Sequence, residues 1–134
     1  MNILTDEFIK RILETYRDKD LKIILLTEDA DPVIGPGTIT NISELESYEV
    51  SPSGNYNSYP NGKSLENKSV SNGKLIASDV DWQNTTITAR FAVIYDNSDG
   101  LVIAIFDFGT NRSSDSGEFR ISWSASGIIN FAQA

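Results

Sequence analysis

Asp79 and Asp81 stand two residues apart in DVDW, a spacing that puts both carboxylates on one face of an extended chain. A glycosidase could use such a pair as acid and base, provided an apolar surrounding held one of them protonated. The neighbouring residues offer no such surrounding, and Trp82 falls on the opposite face, so the pair reads as strand-surface charge. In YDNSDG, Asn97 and Asp99 precede Gly100 as the third and fifth ligands of a calcium loop would. Tyr95 and Phe106 then occupy the first and twelfth positions, where carboxylates are needed, and a hairpin turn accounts for the same residues. IGPG at 34–37 lacks the Gly-Lys-Ser/Thr that holds a nucleotide's phosphates, and reads as a turn. The sequence has no histidine and no cysteine. That removes the commonest general base, the Ser-His-Asp triad, the thiolate nucleophile and the usual ligands of zinc or copper. Neither an enzyme nor a cofactor or metal protein is expected.

Eleven basic against 19 acidic residues give a net charge of −8, which repels nucleic acid and anionic membrane surfaces. The longest apolar runs, LKIILL and GLVIAIF, are far below the roughly twenty residues that span a bilayer. MNILTDEF lacks the pattern of a secretory signal, so synthesis in a cytoplasm is expected. A chain of 134 residues with 40% hydrophobic content suits one domain, 1–134.

The elements that would position contact residues follow from periodicity. Within residues 1–18, Phe8, Ile9, Ile12, Leu13 and Tyr16 form one stripe of an amphipathic helix capped by Thr5. The stripe is expected to pack on the chain's own sheet; the alternative is a docking face made of Phe8, Ile12 and Tyr16. LKIILL at 21–26, with Leu25, has the branched apolar density of a central strand buried on both faces. ISELESYEV starts as a helical turn at Ile42 and runs into extended chain.

Residues 51–64, SPSGNYNSYPNGKS, read as a long exposed loop. It is either a solvated connector or a contact arm, with Tyr48, Tyr56, Tyr59 and Asn61 as the contact residues. Deleting residues 53–61 is expected to leave folding nearly intact.

Asn72-Gly73 marks a hairpin. In TTITARFAVIYD, Ile87, Ala89, Phe91, Val93 and Tyr95 alternate on one face, and NSDG turns the chain into LVIAIFDFG. With GEFRISW, where Phe119, Ile121 and Trp123 alternate inward, the second half reads as a three-strand meander. The expected core comprises Leu25, Trp82, Ile87, Phe91, Val93, Phe106, Phe108 and Trp123. The fold expected is mainly β, an antiparallel β-sandwich or barrel-like fold with one N-terminal amphipathic α-helix.

LKIILLTEDADP, DVDWQNTTITARFAVIYD, LVIAIFDFG and RSSDSGEFRISWSASGII, in that order across residues 21–129, resemble a family of small virion structural proteins of tailed bacteriophages. That family shows an opening helix, a strand ending in a Leu-Leu-Thr element and a Pro-containing loop. An Asp-Val-x-Trp run into Thr-Ile-Thr-Ala-Arg, an Asp-Phe-Gly step, a Ser-Ser turn and a late Trp before Gly-Ile complete its pattern. Residues 48–64 depart from it, since the family carries a Gly-Tyr-rich segment there.

The resemblance implies a non-catalytic virion component made in the host cytoplasm. As a capsid decoration or cement protein it would contact the major capsid protein as a homo-oligomer; shell geometry, not any residue, favours a trimer. The same resemblance leaves open a neck or tail-attached adaptor or fibre base. Apart from it, the loop tyrosines leave open a carbohydrate-binding module contacting the host surface.

Overall fold

A computed structural model of the chain describes residues 4–34, 39–124 and 127–130. The opening helix, α1 (Asp6–Arg17), forms where the sequence supplies both of its ends. The Thr5 hydroxyl accepts the Phe8 N–H at 3.3 Å, Asp6 and Glu7 sit in the first turn and Arg17 in the last. Among the described residues nine strands follow. They are β1 (Leu21–Leu26), β2 (Lys63–Ser64), β3 (Ser69–Ser71), β4 (Lys74–Ile76), β5 (Val80–Thr85), β6 (Thr88–Asp96), β7 (Val102–Ser113), β8 (Gly117–Ile121) and β9 (Ile129–Asn130).

They make a four-stranded sheet in the order β2-β1-β6-β7, a three-stranded sheet β3-β4-β9 and a two-stranded sheet β5-β8, every pair antiparallel. The fold is therefore mainly β with one N-terminal helix, as the sequence leads one to expect.

The central strands of the four-stranded sheet, β1 and β6, are buried on both faces, and β1 shows why. Leu21, Ile23 and Leu25 enter one core, where they meet Ile9 and Leu13 of α1, Leu75 of β4, Val80 and Trp82 of β5, and Phe119 and Ile121 of β8. Ile24 and Leu26 enter a second core under two 3-10 helices, Glu28–Val33 and Ile42–Tyr48, which contribute Ala30, Ile42 and Leu45. Five of the six β1 side chains are fully buried. Each contributes about 1.5–3 kcal/mol relative to exposure, so this short strand is the main anchor between the two layers. The second 3-10 helix starts at an Asn41/Glu44 capping box, which explains its onset at Ile42.

Two expectations are corrected. Ile87 and Ala89 lie in the first core, but Phe91, Val93 and Tyr95 lie in the second, while Ala92 and Ile94 belong to the first. The change falls at a register shift: Ala89 pairs with Arg112, yet Phe91 pairs with Asp107. The surplus residues of β7 bulge around Gly109, at φ +81°, and the face of β6 reverses across the bulge.

The three-strand meander does not form either, because β8 pairs with β5 and not with β7. The connection is tied towards β5: the Ser114 N–H donates to the Ile87 carbonyl, its hydroxyl meets the Thr85 hydroxyl at 2.7 Å, and Thr85 donates to the Gly117 carbonyl. Of the expected core, Leu25, Trp82, Ile87, Phe91 and Val93 are buried. Phe106, Phe108 and Trp123 are half-buried against the first core, with Phe106 and Trp123 ring centres 5.2 Å apart. Apart from Ile34, the IGPG turn lies outside the described residues.

Candidate contact surface

Residues 51–64 do not form a free arm. Tyr56 is only 7% exposed, with its ring 5.5 Å from that of Trp82. Its hydroxyl accepts the Leu25 N–H at 2.8 Å and donates to Glu49 Oε2 at 2.7 Å. Tyr59 donates its backbone N–H to the same carboxylate at 3.0 and 3.1 Å and sets its ring edge-on to Tyr95. Tyr48 and Tyr59 are half-buried against the second core. The segment is also stitched along β5, since Asn55 N–H donates to the Gln83 carbonyl and Thr86 N–H to the Ser53 hydroxyl.

Of the four expected contact residues only Asn61 is exposed. Ser, Asn and Gly made the segment read as solvated. Tyrosines behave otherwise: the ring buries and the hydroxyl finds a partner. Burial pushes the Glu49 carboxyl above its ordinary range, and the bonds from Tyr56 and Tyr59 only partly offset that.

The helix face divides. Ile9 and Leu13 are buried, Ile12 and Tyr16 are half-buried, and Phe8 is 51% exposed. The packing of α1 on its own chain is thus observed, and Phe8 is the member of the docking alternative left in solvent.

The carboxylates considered for catalysis are held in their charged form. Asp79 accepts from Arg120 at 2.8 Å and Ser122 at 3.2 Å, and those bonds, Arg120's above all, hold its carboxyl below the usual range. Asp81 is likewise lowered, first by the Gln83 amide at 2.6 Å, with Lys63 at 3.8 Å. An acid catalyst needs the opposite shift. In the 96–100 turn, Asp96 accepts from the Ser98 N–H and hydroxyl, and Asp99 accepts the Leu101 N–H, the bonding of a hairpin turn.

A feature that the expected meander concealed lies between β7 and β8. Because these neighbours in sequence do not pair, a groove of about 460 Å³ opens between them, lined by Phe108 and Arg112 on one side and Glu118, Phe119, Arg120 and Ile121 on the other. The Phe108 and Phe119 rings, 6.2 Å apart, form its apolar part. Arg120 is tied to Asp79, whereas Arg112 is exposed and has no acidic partner among the described residues. The sequence signal for this split was the polar, glycine-bearing stretch GTNRSSDSG at 109–117, which interrupts the apolar alternation.

Comparison with protein-family models, curated proteins and solved structures finds no match to this chain.

Proposed function

We propose that the chain is a non-enzymatic structural protein of a tailed-bacteriophage virion, a decoration or cement protein that bridges subunits of the capsid shell. The observation that carries this reading is DVDWQNTTITARFAVIYD at residues 79–96, which resembles the virion family and supplies β5 and β6 with their core residues Trp82, Phe91 and Val93. Central strands filled on both faces suit the task, because close-packed interiors are stiff and keep their shape under load. Bridging neighbouring shell subunits would favour the assembled state by mass action, and a trimer would suit local threefold positions. The alternative of a neck or tail adaptor draws on the exposed Phe8 of α1. A sugar-binding platform is left without Tyr56, whose ring is part of the core.

The test is the copy number of the chain relative to the major shell protein in purified particles. A ratio on the order of one, or one to three, supports decoration of a symmetric shell. A ratio of about a few per cent places the protein at the neck or tail, and absence from particles overturns the virion reading.

A further inference from the structure

We propose that the groove between β7 and β8 receives an extended segment of a partner protein, which adds as a strand and presents a carboxylate to Arg112. The inference is independent of where the protein works. Both sheets end at this groove, because β7 is an outer strand of the four-stranded sheet and β8 is one of only two strands in its own. The remaining edges differ: β3 and β9, the outer strands of the three-stranded sheet, are three and two residues long. At the far side of the large sheet β2 is two residues long, and the outer edge of β5 is bonded by the chain at Ser53 and Asn55. The open edges therefore sit together in one place, and a row of unpaired N–H and C=O groups is a template for another strand.

The side chains and the charge define the occupant. Phe108, Phe119 and Ile121 form an apolar floor for alternate side chains of an extended segment, and a Cβ built on Gly109 would meet nothing within 4 Å, so the approach is open. In a chain with 19 acidic and 11 basic residues, this groove presents two arginines. Arg120 is shared with Asp79, Arg112 has no acidic partner among the described residues, and Glu118 already accepts the Gln83 amide at 2.8 Å. An acidic side chain is the complement of Arg112. A second copy fits less well, since its net charge of −8 repels another molecule of the same kind.

The experiment titrates the ¹⁵N-labelled full chain with a blocked heptapeptide of alternating Val and Thr carrying Asp at its centre. Expected are amide shifts confined to residues 108–113 and 117–122, slower hydrogen exchange at those amides, and about three- to tenfold weaker binding by Arg112→Gln. A peptide with Lys in place of Asp should prefer Arg112→Glu to the wild type; Arg112 is exposed, so both variants keep the fold. No shift along the groove at millimolar peptide, or shifts centred elsewhere, overturns the proposal. So does binding indifferent to both Arg112 variants, or protection of the same amides that grows with protein concentration alone, which would make a second copy the occupant.

Discussion

Tyr56→Phe deletes one oxygen and separates a buried structural tyrosine from an exposed contact residue. The ring stays, so its packing 5.5 Å from Trp82 persists and no cavity opens. Two bonds are lost. Leu25 is fully buried, and its N–H would have no acceptor in place of the Tyr56 hydroxyl, which costs about 1–3 kcal/mol. The bond to Glu49 is charge-assisted, but that carboxylate is half-buried and water replaces part of it, so it adds about 0.5–1 kcal/mol. The expected loss is about 1.5–4 kcal/mol, a sizeable share of the roughly 5–15 kcal/mol that stabilises a typical domain. Urea unfolding at neutral pH should show a lower midpoint with an unchanged slope. A loss below about 0.5 kcal/mol would refute the network and return the hydroxyl to solvent. A double-mutant cycle with Glu49→Gln should give a coupling of about 0.5–1 kcal/mol, because the two side chains share a bond.

Glu49, raised above its ordinary 4.5 by burial, contributes stability that is fully present below that pH and lost as pH rises through its folded value. Glu49→Gln should flatten that decline in a pH series of unfolding curves, and parallel curves would refute it. Asp79, Asp81 and Asp107 are lowered by their bonds to Arg120, Gln83 and Arg90, so their contribution runs the other way and fades as pH falls below 3.8. Trp82→Ala and Phe91→Ala, which empty the first and second cores, should each cost about 3–5 kcal/mol in denaturant unfolding, and a loss under about 1 kcal/mol at both would reject the core assignment. Gly54→Ala should cost well over the about 1 kcal/mol of Gly109→Ala, because both have positive φ but only at Gly54 would the Cβ fall on the Asn84 carbonyl; equal losses would deny the seating of this segment on β5. Ser114→Ala orphans the Ile87 N–H and should cost about 1–2 kcal/mol, with amide exchange rising first in β8; a uniform rise would show that Ser114 does not hold the β7–β8 connection.

What was legible in the sequence was what local rules determine. Thr5, Asp6 and Glu7 define the start of α1, LKIILL the doubly buried β1, and Asn72-Gly73 a hairpin whose two residues both have positive φ. The faces of β6 were legible only as far as Ala89, because a bulge on the partner strand leaves no trace in the alternation of the strand it opposes. Residues 51–64 were misjudged for a related reason. Composition reports the average environment of a segment, whereas the buried pair Tyr56 and Glu49 meets β1 through a bond between residues 31 apart in the chain. Deleting residues 53–61 would remove Tyr56 from the first core, so the expectation that folding survives it is withdrawn.

Two failures of the sequence rules, at the faces of β6 and at the expected meander, fall close together, and that has a physical reading. β6 changes face opposite the bulge around Gly109, and the bonds of Ser114 and Thr85 carry the chain across to β5 instead of back along β7. Together they stop a hairpin that local alternation would otherwise have made. Pairing β7 with β8 would have satisfied both edges within the chain, and protein sequences normally blunt or cover edges that remain open. Among the described residues the other edges follow that rule: β2, β3 and β9 are short and β5 is covered at Asn55. Only the seam between β7 and β8 combines open edges with an apolar floor and a free guanidinium among the described residues. Departures from local consistency tend to gather at functional sites, because that is where a fold tolerates the cost. The seam is therefore a stronger candidate for contact than the tyrosine-bearing loop, whose apparent exposure was a property of its composition and not of its place in the fold.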